Sequence, residues 1–111
     1  MNFIFVISYS QTCADLPIHF ASYKQAIDTI ENFSFQMSDG ANTYNNHWIK
    51  SAHFYSCSGD LGILILKTDT SEYIHANVPI VLWLQFKDTD SSDSFYNANI
   101  KNKYIFKLNT Q

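Results

Sequence analysis

The sequence predicts a single α+β domain, in which an antiparallel sheet of four to five strands carries one amphipathic helix over residues 23–33 and a short second helix after Pro79. The chain has 111 residues, a length typical of one domain. Apolar residues make up 46% of it and charged residues 15%. A typical domain has about 25% charged residues, so this chain has ample apolar surface for a core. Short apolar segments separated by turn-forming residues predict the strands.

The N-terminal part, residues 1–47, is predicted to be a β-α unit of unassigned type. Residues 3–9 (FIFVISY) are continuously apolar, β-branched and aromatic, which predicts a buried central strand. Ser22 and Gln25 then form a capping-box pattern, in which a hydroxyl and an amide satisfy backbone donors of a first helical turn. Apolar residues follow at helical spacing, so an amphipathic helix is expected to lie on the sheet.

The remaining part, residues 48–108, is predicted to hold most of the sheet. It is preceded by the stretch 34–46, where Asp39-Gly40 and several Ser, Asn and Thr residues predict either a hairpin turn or a surface loop. Short turns then separate three strand-like runs, which predicts an antiparallel meander. The three runs cover residues 47–57, 61–67 and 72–78.

The segment 80–86 (IVLWLQF) is the most apolar in the chain. Pro79 is well placed to open a helix, because proline is tolerated in the first turn, and a helix this apolar would be buried or face a partner. A further strand is the alternative, because Ile, Val, Trp and Phe favour strands. An acidic turn at 88–93, a polar connection at 94–100 and a closing strand at 103–108 are predicted to follow.

The distribution of charge argues against binding of duplex DNA. All seven positive side chains are lysines, and there is no arginine. Residues 1–100 hold four lysines and ten carboxylates, a balance of −6, and the last eleven residues hold three lysines, so the sum is −3. Duplex-binding proteins usually show an arginine-rich basic face, because the phosphate backbone dominates affinity.

A membrane partner is not expected from this sequence. A membrane helix needs about 20 consecutive apolar residues, and no segment approaches that length. The apolar run at the N-terminus has no basic residue before it and no small-residue cleavage site after it. We therefore expect a cytoplasmic protein.

One ordered pattern spans about residues 49–104. It consists of a strand pair, a tyrosine, Val-Pro, a short helix and an aromatic-Asn-x-x-Ile-basic-x-x-Tyr run. In this pattern the chain resembles the KTSC domain, named for its occurrence at the C-terminus of some lysyl-tRNA synthetases. His75 and Asp93 depart from the pattern. The residues that carry the resemblance are Ser51, Tyr55, Leu61, Ile63, Ile65, Tyr73, Val78, Pro79, Trp83, Phe86, Ser91, Phe95, Tyr96, Asn97, Asn99, Ile100, Lys101 and Tyr104.

The resemblance implies a small non-enzymatic binding module, like the free-standing KTSC proteins of bacteria and phages, with RNA or a nucleotide as its ligand. Aromatic rings stack on bases and ammonium groups meet phosphates, so the aromatic and basic residues near the C-terminus are candidate contacts. Packing of the tyrosines in the core, with the lysines merely solvated, is the alternative. The candidate contacts are Tyr73, His75, Asn97, Asn99, Lys101, Lys103 and Tyr104.

A small acidic inhibitor of the immunity or phage anti-defence type is the alternative hypothesis. Such a protein would act by protein–protein contact, and the acidic turn offers Asp88, Asp90 and Asp93 as candidate contacts. A homo-oligomer formed through residues 80–86 is a third hypothesis, because exposed apolar patches mark interaction sites.

Neither an enzyme nor a metal protein is expected. Cys13, Cys57, His47 and His53 lack the close paired spacing of structural metal sites. No motif frames Cys13 as a nucleophile. The two cysteines are expected to be small buried side chains rather than a disulfide, and no cofactor is expected.

Overall fold

The computed structural model describes residues 20–43 and 48–108. Within them, four antiparallel strands form one sheet in the order β1-β2-β3-β4. The predicted α+β class with an antiparallel sheet is therefore confirmed, while the strand predicted at residues 3–9 lies outside the described ranges. The elements are α1 (Tyr23–Glu31), β1 (Met37–Asn42), β2 (Ser51–Ser56), β3 (Leu61–Lys67), β4 (Glu72–Pro79), α2 (Ile80–Asp88) and α3 (Ser92–Asn99).

Helix α1 begins where the capping pattern predicts. The Ser22 hydroxyl accepts a hydrogen bond from the Gln25 N–H at 3.1 Å. The Gln25 side-chain oxygen accepts from the N–H of Ala21, one residue before the position that a capping box predicts. The helix covers one face of the sheet, where the core consists of Phe20, Ala26, Ile27, Ile30, Tyr55, Ile65 and Ile74.

Helices α2 and α3 cover the opposite face. Successive side chains of a strand point to opposite faces, so Phe54 and Leu64 meet these helices while their neighbours Tyr55 and Ile65 meet α1. The Trp83 ring stacks on Phe54 with centroids 5.6 Å apart. This second core consists of Ile49, Ala52, Phe54, Leu64, Leu66, Val78, Trp83, Phe86, Tyr96 and Ile100.

Segment 80–86 lies in helix α2, as the position of Pro79 predicts, and the alternative of a further strand is wrong. Pro79 occupies the N-cap position, and the Ile80 N–H donates to the Asp60 carbonyl at 2.8 Å. Burial of α2 is one-sided. Trp83 and Phe86 are buried, whereas Val81 is 58% exposed and Leu84 50% exposed.

The prediction of a turn or loop at Asp39-Gly40 is wrong, because both residues lie inside strand β1. Gly40 is opposite His53, and a Cβ on Gly40 would lie 2.9 Å from the His53 Nδ1, so glycine makes room for the ring. The Asp39 carboxylate accepts from Trp83 Nε1 at 2.8 Å and from Lys87 Nζ at 2.6 Å. Hydrogen bonding to Lys87, then to Trp83, lowers the pKa of Asp39.

Two predictions for the C-terminal stretch are also wrong. The polar connection at 94–100 is largely helix α3, and the closing strand at 103–108 has no strand structure. The Asp93 carboxylate ties the start of α3 to the sheet, because it accepts from the N–H groups of Trp48 at 3.1 Å and Ile49 at 3.4 Å. The carbonyl of Tyr104 is bonded to the His75 side chain rather than to a neighbouring strand.

Cys57, just after β2, is disulfide-bonded, so the expectation of an unpaired thiol is wrong for it. Cys13 and His47 lie outside the described residues. No helix in residues 20–43 and 48–108 is long and apolar enough to cross a membrane.

Candidate binding cleft beside strand β4

A cleft of about 390 Å³ opens at the outer edge of strand β4. We call it the β4 cleft. It brings together three of the seven predicted ligand contacts, Tyr73, His75 and Lys101. Its walls come from α1, β4 and the chain after α3. The lining residues are Tyr23, Glu72, Tyr73, Ile74, His75, Lys101, Ile105 and Phe106.

The chain after α3 forms one wall of the β4 cleft because it turns sharply. The N–H groups of Ile100 and Lys101 both donate to the Tyr96 carbonyl at 3.0 Å. The N–H of Lys103 then donates to the Ile100 carbonyl at 3.0 Å. This turn places Lys101 beside β4 and directs the following residues back toward α1. There the Phe106 ring packs against Tyr23, with centroids 6.4 Å apart.

His75 holds this wall in place and does not present a free ring nitrogen to a ligand. It is only 6% exposed. Its Nδ1 lies 2.9 Å from the Tyr104 carbonyl oxygen and its Nε2 lies 2.8 Å from the Tyr96 hydroxyl. A carbonyl can only accept, so we assign the proton to Nδ1, and Nε2 then accepts from the Tyr96 O–H.

The protonation states of this pair agree with that assignment. Burial lowers the pKa of His75, and the bond to Tyr104 opposes the shift more weakly. Burial also raises the pKa of Tyr96 to about 12. Both rings are therefore neutral at pH 7, and the ring predicted as a ligand contact is a structural anchor.

Aromatic packing fixes the ring of Tyr73 at the mouth of the cleft. Tyr73 is 42% exposed and Tyr23, on the opposite side, is 50% exposed. Trp48 meets Tyr73 edge to face at 6.2 Å and meets Tyr96 at 5.6 Å in the same way. Such contacts orient a ring and leave less of its mobility to be lost on binding.

The structure does not bring the other four predicted contacts into the lining of the cleft. The Asn99 side chain donates to the Phe95 carbonyl at 3.1 Å, within its own helix. Asn97 is exposed on α3, and Lys103 is exposed on the turn that carries Lys101. Tyr104 is half-buried and packs against the core under α2 and α3.

Sequence reasoning missed five residues of the β4 cleft, which are Tyr23, Glu72, Ile74, Ile105 and Phe106. Tyr23 is the first residue of α1, and its place in the helical repeat suggested burial only. Ile105 and Phe106 belong to the run read as a closing strand. Only their closeness to β4 in space shows that they line a site.

The three predicted protein contacts in the acidic turn differ in exposure. Asp88 and Asp90 are exposed. Asp93 is half-buried, and its carboxylate is engaged with the backbone N–H groups of Trp48 and Ile49. In the part of the chain that the structure describes, no group of three or more His, Cys, Asp or Glu residues could hold a metal ion.

Comparison with known families gives one match, to the KTSC domain over residues 45–104. The match runs from before β2 to the turn after α3, which is more than half of the chain. It includes Tyr73 and Lys101 but not Tyr23, Ile105 or Phe106. Comparisons with curated proteins and with solved structures gave no match. The match over these residues shows that the chain belongs to the KTSC domain family.

Proposed function

We propose that this chain is a non-enzymatic binding module that acts in the cytoplasm and holds single-stranded RNA or a nucleotide in the β4 cleft. One observation carries the proposal: the exposed rings of Tyr23 and Tyr73 lie around the same cleft as Lys101. A ring face can stack on a base, which is worth about 1–3 kcal/mol per base, while an ammonium group binds phosphate.

The distribution of salt bridges among the described lysines supports an anionic ligand in the β4 cleft. Lys24, Lys67 and Lys87 each form a salt bridge with a carboxylate. Within the described residues no salt bridge involves the three exposed lysines after α3, which are Lys101, Lys103 and Lys107. Their charge is thus available to phosphates although the whole chain carries −3.

A binding role without catalysis fits the state of the histidine that lines the cleft. General acid–base catalysis needs a side chain that can reach the proton it transfers. The two ring nitrogens of His75 are engaged with Tyr104 and Tyr96, and its ring is buried. The imidazole of His75 is therefore not placed to exchange a proton with a ligand in the cleft.

The test is fluorescence anisotropy of labelled single-stranded RNA across a series of salt concentrations. We expect salt-sensitive binding to the wild type. If both lysines meet phosphates, Lys101→Ala/Lys103→Ala should lower the salt slope by about 1.4, at about 0.7 per phosphate on single strands. Lys24→Ala is the matched control, because it removes an exposed lysine that does not line the cleft.

Competition with free mononucleotides separates the two ligands. Displacement of the RNA by a mononucleotide at similar affinity would indicate a nucleotide site, whereas displacement only by longer strands would indicate RNA. Absence of salt-sensitive binding to the wild type would overturn the proposal. An unchanged slope in the double variant would remove these two lysines from the contact.

An inhibitor that acts by protein contact is the second candidate, and one observation on α2 favours it. Val81 and Leu84 are exposed apolar residues, and Asp88 lies four residues beyond Leu84. Residues three and four apart share a helix face, so a carboxylate borders an apolar pair. Such a surface fits a partner with an apolar pocket beside a basic group.

The test of this candidate compares three forms of the protein as bait in lysate of the source cells. A specific partner should be captured by the wild type, be lost with Val81→Ser/Leu84→Ser and associate more slowly with Asp88→Lys/Asp90→Lys. The complex must then be rebuilt from the two purified proteins. A partner captured equally by all three forms would exclude this surface.

A further inference from the structure

The two outer edges of the sheet are built differently. At the β4 edge the pairing with β3 is irregular near Gly62, and Asn77 has a φ of 59°. Strand β1, at the other edge, pairs regularly with β2 along all six residues. Natural sheets usually protect their edges with bulges, charges or covering segments. Within residues 20–43 and 48–108, no strand pairs with the outer side of β1.

The pairing with β2 determines which backbone groups of β1 point outward. The Thr43 N–H donates to the Lys50 carbonyl at 3.1 Å. Hydrogen-bonded and non-hydrogen-bonded residue pairs alternate along an antiparallel ladder. From this starting point, Asp39 and Ala41 bond to β2. The N–H and C=O groups that point away from the sheet are those of Ser38, Gly40 and Asn42.

The outward edge formed by these three residues is complementary to the same edge of a second copy of the chain. When a second copy of β1 runs antiparallel with Gly40 opposite Gly40, Ser38 of each copy lies opposite Asn42 of the other. All three residue pairs then exchange both backbone hydrogen bonds. The central pair has no side chains, and each outer pair joins a hydroxyl to an amide.

The charges of β1 also favour a second copy over a charged partner. Asp39 is the single ionisable residue in the strand, and its carboxylate is bonded to Lys87 and Trp83. In the symmetric register Asp39 lies opposite Ala41 of the other copy, so the two carboxylates do not face each other. Like charges directly opposite would destabilise a strand pair, and this register has none.

We infer that β1 is a dimerisation edge, at which two copies of this chain pair antiparallel about Gly40 and join their sheets into one. The inference does not rest on the proposed binding of RNA, because the β4 cleft lies at the opposite edge. It also differs from an oligomer formed through α2, since no apolar side chain of that helix takes part.

A charge-swap experiment tests the register. Sedimentation velocity of the wild type should show a dimer fraction that rises with protein concentration. Ser38→Lys/Asn42→Lys places lysine opposite lysine at both ends of the paired strands, so the dimer should be lost. Ser38→Lys/Asn42→Glu places lysine opposite glutamate, so the dimer should return.

The two double variants are matched controls for each other. Both lose the hydrogen bond between the Ser38 hydroxyl and His53 Nε2, which are 2.7 Å apart, so any general effect on folding is shared. A wild type that stays monomeric at every concentration would overturn the inference. A dimer that survives the lysine pair would also overturn it, and loss of that dimer with Leu84→Glu would assign it to α2.

Hydrogen exchange of the wild type gives a second measurement that needs no variant. The amide protons of Ser38, Gly40 and Asn42 should exchange more slowly as the dimer fraction rises. Their neighbours in β1 should be slow throughout, because they are bonded to β2. If the three outward amides are already slow in the monomer, other parts of the same chain cover this edge, and the inference fails.

Discussion

At the β4 edge of the sheet, His75 is buried and both ring nitrogens are hydrogen-bonded, whereas near the β1 edge His53 is half-buried and its Nε2 meets the exposed Ser38 hydroxyl. The first imidazole fastens a segment without strand structure onto the sheet and so creates a cleft. The second lies beside an edge that no described segment covers. The comparison shows two roles for a histidine near a sheet edge. His75 holds a covering segment against β4 and so forms a concave site, whereas His53 bonds to a side chain of β1 and holds no described segment over that edge.

The largest expected effect concerns the attachment of β1 to α2. Trp83 is fully buried, stacks on Phe54 and donates to Asp39. Trp83→Ala should lower the free energy of unfolding by about 3–5 kcal/mol, measured by urea denaturation. Trp83→Phe should cost less, because it keeps most of the packing and removes the hydrogen bond. Equal losses in the two variants would mean that the bond to Asp39 dominates.

A smaller effect is expected at the opposite edge. His75→Phe leaves the buried Tyr96 hydroxyl without its partner, which costs about 1–3 kcal/mol, whereas the part-buried Tyr104 carbonyl can bond to water instead. Denaturation should therefore show a clear loss of stability. Hydrogen exchange should show faster exchange at the Tyr104 amide, which donates to the Ile100 carbonyl. His53→Phe is the comparison variant and should cost less, because its partner Ser38 is exposed to water.

The affinity for RNA gives a third way to sharpen the comparison. Under the proposed function, Tyr73→Ala should weaken binding of single-stranded RNA by about 1–3 kcal/mol, since it removes one stacking face. Tyr73→Phe keeps the ring and should bind almost as the wild type does. Ser38→Ala, at the other edge, should leave the affinity unchanged. Equal weakening by the alanine and phenylalanine variants of Tyr73 would assign the effect to the hydroxyl.

The smallest expected effect is a dependence of stability on pH. The pKa of His75 in the folded chain is below its unfolded value of about 6.5, so the unfolded state binds more protons between these two values. The contribution of the neutral ring is complete above the unfolded pKa and is lost as the pH falls toward the folded pKa. Urea denaturation across this range should show the decline in the wild type and a weaker one in His75→Phe. Identical pH profiles would exclude His75 as the source.

The parts of the fold that local sequence determines were predictable. Pro79 before a uniformly apolar run predicted α2, and Ser22 before a helical repeat predicted α1. Helix α3 was missed because Ser, Asp and Asn are weak helix formers. Its contacts are distant in sequence, since Asp93 bonds to the backbone at Trp48 and Ile49.

The other errors have the same origin in long-range contacts. Asp39-Gly40 carries a local turn signal, but its partners His53, Trp83 and Lys87 are fixed only by tertiary structure. Residues 103–108 do alternate between exposed and half-buried side chains, as an edge strand would. Alternation of side-chain exposure shows which side of the segment faces the protein. A strand also needs a ladder of backbone hydrogen bonds to a neighbouring strand, and residues 103–108 have none.

The candidate site was predictable to the same extent. Tyr73 and Lys101 belong to the pattern by which the chain resembles its family, and both line the β4 cleft. His75 also lines it, but its role as an anchor depends on Tyr96 and Tyr104, whose positions around it no spacing reveals. Tyr23 and Phe106 come from the two ends of the described chain, so their meeting is a property of the fold.

The lining of the β4 cleft comes partly from inside the family match and partly from outside it, because Tyr23, Ile105 and Phe106 lie beyond residues 45–104. These three cleft residues can therefore be replaced without substituting any residue inside the family match. Combinatorial replacement of these three side chains, with selection against different ligands, would turn a fixed scaffold into a set of receptors. A new specificity could then arise from the flanking sequence alone.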